Sequence, residues 1–307
     1  MAAAQALLVT FLWATSWVLI RIGLTDLDLR PISFAGLRYA LAAALLAPIG
    51  WRALRRARAT GQGHLDRRLL GRLAGLALFL YAIAQGAQFA ALAVLPATAV
   101  GLILSSIPLW VAAGAWLRRE EQATRAQLLG IGLLVAGAAL YFGPFALGPS
   151  ALLGVLAAVV CAISSTIGQH LSRDLNRDHL ARLGGPAGLT AVSMAIGGTL
   201  LLAVGVGLEG WPSLDLRGWA IIGWLAAVNT AFAFTLYNHT LRVLTAVESS
   251  VIVNTLLVMV AIMAWLFLGE SLDARQVAGL ILASSGAMVV QVVPRWRARN
   301  ARRAPRA

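Results

Sequence analysis

The sequence contains no lysine, a single cysteine and only 12 acidic residues among 307. Charged residues make up 12% of the chain against 60% hydrophobic, where soluble domains carry roughly a quarter charged residues. A water-soluble fold is thereby excluded, because too little polar surface exists to cover that much apolar material. The one cysteine, Cys161, lies inside an apolar run, which removes any disulfide framework or cysteine-based metal site and points to a buried thiol packing as a small hydrophobe. No His-Glu-x-x-His zinc motif and no Gly-x-Ser-x-Gly nucleophile elbow occurs, so an intramembrane enzyme, the main rival class, has no recognisable machinery. Gly205-x-Gly-x-x-Gly210 has dinucleotide-fingerprint spacing but ends an apolar run with no strand before it, so no cofactor follows from it. Neither a cofactor nor a metal is expected.

What the chain does have is long apolar runs, with a mean hydropathy of +0.80. A bilayer core takes about 20 residues per helix, and candidate spans fall near 3–23, 31–50, 72–94, 97–117, 126–143, 150–171, 186–206, 218–240, 246–268 and 275–293. The first run, with Trp13, Trp17 and Arg21 inside it and no basic segment before it, reads as a retained span rather than a signal peptide.

All 25 basic residues are arginine, clustered between spans. That placement belongs to cytoplasmic membrane loops rather than to a nucleic-acid-binding face. With a cytoplasmic N-terminus, the outside segments hold only Arg30, Arg217 and Arg275, and Arg21 and Arg38 lie within spans. The positive-inside rule then favours both termini in the cytoplasm, with anionic lipids attracted to the arginine-rich face; a bacterial inner membrane is the expected location. Arg21, at the outer end of span one, is a local conflict with this topology.

Sliding the chain against itself by 149 positions superposes Ala115-Trp116-Leu117, Glu121, Gln127, Gly130 and Gly137 on Ala264-Trp265-Leu266, Glu270, Gln276, Gly279 and Gly286. Thr124-x-x-Gln127 and Asp273-x-x-Gln276 are both capping boxes at the start of a span. Five spans per half is an odd number, so the second half enters the membrane reversed. The expected fold class is an all-α polytopic membrane protein, ten transmembrane helices as two inverted five-helix repeats. The repeats would be 1–143 and 150–293, followed by a basic cytoplasmic tail, 294–307. Inverted repeats around a midplane site are a recurrent transporter design, suited to alternating access.

Trp13-Ala14-Thr15-Ser16, Leu37-Arg38-Tyr39, Pro108-Leu109, Arg119-Glu120-Glu121 and Gly130 together resemble the EamA-type members of the drug/metabolite transporter superfamily. The second half departs from this pattern, with Leu257 in place of Pro108 and no tryptophan near Cys161. The resemblance implies ten helices and a small-molecule substrate, with export of amino acids, aromatic ones included, as the first expectation. Purines, sugar-phosphate conjugates and cationic drugs are the alternatives. It leaves the oligomeric state open, a monomer being sufficient.

Polar groups in hydrocarbon are costly, which singles out the pathway candidates. Tyr81, Gln85 and Gln88 fall at i, i+4 and i+7 of span three, one helical stripe that either lines a pathway or bonds a neighbouring helix. Trp13, Ser16 and Trp17 offer stacking and hydrogen bonding in span one, with packing the competing explanation. Arg38, well inside span two, suits a substrate carboxylate or a structural carbonyl. Asn229, Tyr237, Asn238 and His239 in span eight, with Gln169 and His170 in span six, lie toward the predicted cytoplasmic interface, where hydration is the favoured fate. Asn254 lies two turns into span nine, far from water. Glu248 and His239 are the proton-coupling candidates, although Thr245-x-x-Glu248 is also a capping box. Pro108 is a hinge candidate, close packing being its default role. Few carboxylates lie at mid-membrane, so transport is expected not to be strictly proton-driven. Spans five and ten carry almost no polar side chains and are expected to face lipid.

Overall fold

The computed structural model describes residues 2–61, 66–117, 124–143, 148–240, 244 and 246–303. All regular structure among them is helical: α1 (Ala2–Thr25), α2 (Pro31–Ala59), α3 (Arg67–Leu76), α4 (Ala84–Val94), α5 (Ala97–Leu104), α6 (Ile107–Leu117), α7 (Arg125–Phe142), α8 (Pro149–Asp178), α9 (Pro186–Glu209), α10 (Leu216–Ala226), α11 (Ala233–Thr240), α12 (Ala246–Leu268) and α13 (Ala274–Arg303). Seven helical segments are long and apolar enough to cross a bilayer, and three shorter apolar helices complete ten spans. Several helices outrun the apolar stretch that predicts them. α2 continues through Arg52, Arg55, Arg56 and Arg58, and α8 runs to Asp178, because a helix leaving hydrocarbon has no reason to end where its apolar residues do. The segment expected as a tail from 294 onward continues α13 as far as Arg303.

Two spans are not uniform α-helix. Span three joins α3 to α4 through a π-helical segment, Ala77–Ile83, and span eight joins α10 to α11 through another, Ala227–Phe232. Each closes with an amide reaching back five residues, from Ala84 to the Phe79 carbonyl and from Ala233 to that of Val228. These pairs are 149 positions apart, as are the N-caps of the same spans, Asp66 and Asp215, whose carboxylates accept from Leu69 N and Gly218 N at 2.7 Å each. The repeat thus extends to a shared backbone irregularity. Span four is broken at Ser105–Ser106: Pro108 supplies no amide for the preceding turn, and the two serine hydroxyls donate to the Leu102 and Ile103 carbonyls at 2.6 Å.

The chain forms two compact units, each taking helices from both sequence repeats. One contains residues 1–18, 96–149 and 236–307, and its centre is the α7–α13 pair. A Cβ on Gly130 would meet the Gly286 carbonyl at 2.8 Å and Val290 N at 3.0 Å, and one on Gly279 would meet the Gly137 carbonyl at 2.7 Å and Tyr141 N at 2.8 Å. Gly137 faces Ala283 N, and Gly286 faces Leu134 N, both at 2.5 Å. The shift of 149 turns each contact into its partner, the pattern of an isologous, two-fold contact made within one chain. The helices run antiparallel, as reversed repeats require. Their outward faces expose Leu128, Leu129, Val135 and Ile281, as expected for lipid-facing spans. Both capping boxes are formed: Thr124 and Gln127 bond reciprocally, as do Asp273 and Gln276.

In the same unit the Glu270 carboxylate closes the start of α5, accepting from Ala97 N at 2.7 Å, Thr98 N at 3.3 Å and Thr98 Oγ1 at 2.8 Å. Because the Thr98 hydroxyl donates its one proton there, Tyr141 Oη donates to Thr98 at 2.8 Å.

The second unit contains residues 19–95 and 150–235. Here α2 and α9 pack along their length, with Gly36, Gly198 and Gly205 pressed on the facing backbone. Glu209, at the end of α9, accepts from Ile32 N at 3.1 Å and Ser33 N at 2.8 Å, while Arg30 donates to its carbonyl. Arg21 donates to the Leu92 carbonyl near the end of α4, so a helix C-terminus holds the arginine that disagreed with the loop charges. Glu209→Gln and Glu270→Gln should each cost about 1–2 kcal/mol, since an amide nitrogen then confronts N–H donors and a charge-assisted bond is lost. Thermal unfolding in detergent measures this, with the conservative Asp273→Asn at an exposed cap as the milder control.

At one end of this unit Asp66 also meets Arg182 at 2.9 Å. The Leu69 amide, and after it Arg182, hold the Asp66 carboxyl below the usual carboxylate range. A depressed folded value stabilises above the unfolded value, near pH 4, and the contribution is lost as pH falls through the lower folded value. Acid unfolding below about pH 4 should therefore lose part of its pH dependence in Asp66→Asn.

Candidate functional site

Arg38 lies seven residues into α2, about 10 Å from its start at 1.5 Å per residue, and is 5% exposed. Its Nε donates to Thr230 Oγ1 at 3.0 Å, and Thr230 donates onward to the Leu225 carbonyl, five residues back across the π segment, at 2.8 Å. The guanidinium sits 5.2 Å from the Tyr39 ring centre and 5.9 Å from that of Phe89. Phe89 is itself braced edge-on by Phe34 at 5.1 Å. No ion pair among the described residues includes Arg38.

The adjacent residue, Tyr39, reaches the other π segment. Its hydroxyl donates to Gln85 Oε1 at 2.5 Å, and Gln85 Nε2 donates to the Leu80 carbonyl, again five residues back, at 3.4 Å. Tyr81 is buried, packed against Gly197 of α9, and its ring lies 6.2 Å from that of Tyr39. The predicted stripe of span three is therefore divided. Tyr81 faces α9 and Gln85 faces α2, because the π segment breaks the 3.6-residue period assumed for them. Gln88 is half-buried and makes no hydrogen bond among the described residues.

Asn229 is fully buried within the π segment, and His170 is 7% exposed. This corrects the expectation of hydration for both, since sequence distance from a loop does not tell which helix face a residue occupies. His239 and Gln169 are exposed, and Cys161 is buried beside Ser165 at 3.9 Å.

In the other unit, Trp13 and Tyr237 form a tilted ring pair at 5.1 Å. Ser16 is buried, and Trp17 is buried against the position a Cβ on Gly101 would take, at 3.6 Å. Pro108 is half-buried at the start of α6. Glu248 is exposed in the first turn of α12, where a carboxylate complements the helix dipole. Thr245, Arg118, Arg119, Glu120, Glu121 and Arg242 lie outside the described residues, as do the side chains of Asn238 and Asn254.

Sequence reasoning singled out Arg38 but missed Thr230 and Phe89. Thr230 is 192 positions from Arg38, and only its equivalence to Tyr81 under the 149 shift could have drawn attention to it.

Comparison with known proteins bears on the whole chain. A solved crystal structure of a protein superposes with a TM-score of 0.62 at 18% identity, covering 94% of this chain and 98% of that one, which supports the fold alone. No curated protein matches. The model of the EamA-like transporter family matches residues 1–143 and again 148–292. Two matches, one per repeat, span nearly the entire sequence, and the chain belongs to the EamA-like transporter family, the multi-pass small-molecule carriers of the drug/metabolite transporter superfamily.

Proposed function

We propose that this protein moves carboxylate-bearing small metabolites, amino acids including aromatic ones foremost, across the bacterial inner membrane in the export direction by alternating access. The carrying observation is Arg38, a guanidinium in the membrane-spanning part of α2 with no carboxylate beside it among the described residues. Such a charge is costly in hydrocarbon unless it meets a counter-ion or water, and a substrate carboxylate supplies the counter-ion. The flanking aromatic rings suit a substrate with an apolar or aromatic side chain. A fixed positive charge disfavours cationic drugs. The arginine distribution supports a cytoplasmic location for both termini. The five-helix repeats 1–143 and 150–293 precede the basic segment 294–307, which faces anionic lipid.

Purified protein in liposomes, offered labelled amino acids, purines, sugar phosphates and cationic drugs, should catalyse flux of amino acids above protein-free vesicles. Flux confined to carboxylate-free cations, or hydrolysis of lipid or peptide with no flux, contradicts the reading. Transport should survive collapse of the pH gradient, because few carboxylates lie at mid-membrane and Glu248 sits in the first turn of α12, at the helix start.

A further inference from the structure

The two π segments occupy equivalent positions in the repeats, and two consecutive residues of α2 are tied to them. Arg38 is tied to one through Thr230, and Tyr39 to the other through Gln85. In each case the intermediary side chain also donates to a carbonyl five residues back along its own helix. Thr230 has one hydroxyl proton, and it is committed to the Leu225 carbonyl. Its oxygen is therefore held as an acceptor facing Arg38, and it takes Nε, the one guanidinium nitrogen on the side-chain stem. Tyr39 and Phe89 lie within cation–π distance of the guanidinium carbon. With Nε occupied, the hydrogen-bonding capacity that remains belongs to the two terminal nitrogens, which make no hydrogen bond or ion pair among the described residues.

Resting on the proposed function, we propose that Thr230 is a specificity-determining positioning residue: it locks the Arg38 guanidinium so that its terminal nitrogens present an end-on fork, making the site selective for a planar carboxylate. The terminal pair matches the two oxygens of a carboxylate in a bidentate arrangement. A carboxamide offers one acceptor and a pair of donors, so it leaves one guanidinium N–H facing an amine. Thr230 touches no substrate and acts through Arg38. The π segment is part of the device, because Thr230 gains its fixed polarity from the carbonyl at its i−5 position. Lysine in place of Arg38 would keep the charge and lose the fork.

The test uses full-length protein in liposomes with labelled L-phenylalanine and L-phenylalaninamide as probes, comparing the wild type with Thr230→Val, Thr230→Ser, Thr230→Ala and Arg38→Lys. Valine leaves Nε without an acceptor, and KM for L-phenylalanine should rise about tenfold while Vmax stays within about twofold, the signature of lost bidentate binding. The preference for acid over amide should shrink with it. Serine restores the acceptor and should return both values to within about twofold of the wild type. Arg38→Lys should raise KM at least as much as Thr230→Val. If the valine variant does not fold, Thr230→Ala carries the same expectation with less bulk. An unchanged KM and unchanged selectivity in Thr230→Val and Thr230→Ala, a loss confined to Vmax, or a serine variant as impaired as the valine one overturns the positioning role while leaving the proposed function intact. A wild type that moves neither probe nor any other carboxylate overturns both.

Discussion

Arg38→Gln should abolish most transport while leaving the protein as stable as the wild type or more so. The two effects separate because different interactions carry them. In the structure Arg38 makes one hydrogen bond, to Thr230, and has no carboxylate beside it among the described residues. A buried charge without a counter-ion carries an uncompensated desolvation cost of several kcal/mol. Removing it relieves that cost and forfeits one hydrogen bond of about 1 kcal/mol plus cation–π contacts of about 1 kcal/mol. The Thr230 hydroxyl keeps its bond to the Leu225 carbonyl, so Thr230 is not left with an unsatisfied donor. Flux of a carboxylate substrate should fall by at least about tenfold, since each charge-assisted hydrogen bond to a ligand contributes about 1.5–3 kcal/mol. Paired melting and flux measurements on Arg38→Gln decide it. A variant that unfolds would make Arg38 a structural residue, and one that transports normally would remove it from the pathway.

The second large effect concerns the α7–α13 contact. Gly137→Val and Gly286→Val should each destabilise by about 3 kcal/mol, a large fraction of a typical total stability of about 5–15 kcal/mol. Each added Cβ would meet backbone, Ala283 N in one case and Leu134 N in the other, at 2.5 Å, and backbone cannot rotate away as a side chain can. Equal losses at the two positions are expected because the 149-residue shift interchanges them. Gly132→Val on the same helix, where nothing lies within 4 Å of the added carbon, should change little. Thermal unfolding and monodispersity in detergent check all three.

Much of this architecture was legible in the sequence for physical reasons. Ten apolar runs are forced by the bilayer, and the arginine clusters between them follow from the cost of placing charge in hydrocarbon. Capping at Thr124 and Asp273 has fixed spacing because the third amide of a helix lies within reach of the side chain that precedes it. The matched glycines Gly130, Gly137, Gly279 and Gly286 signalled a repeat, and the structure adds that they touch one another. The π segments were not legible. Ala77–Ile83 and Ala227–Phe232 have no distinguishing composition, and a period of 3.6 residues was the natural assumption for both. That assumption put Tyr81 and Gln85 on one stripe. Glu209 was likewise invisible as the partner of Ile32 and Ser33, because only folding brings the end of α9 to the start of α2.

Counterflow tests the central claim most directly, that this EamA-like chain is a carrier recognising a carboxylate. Liposomes holding the purified protein are loaded with unlabelled L-phenylalanine or with L-phenylalaninamide and placed in a trace of labelled L-phenylalanine. The account predicts transient accumulation of label with the acid inside and little or none with the amide. Equal accumulation with both, or none with either acid or amide, would contradict it.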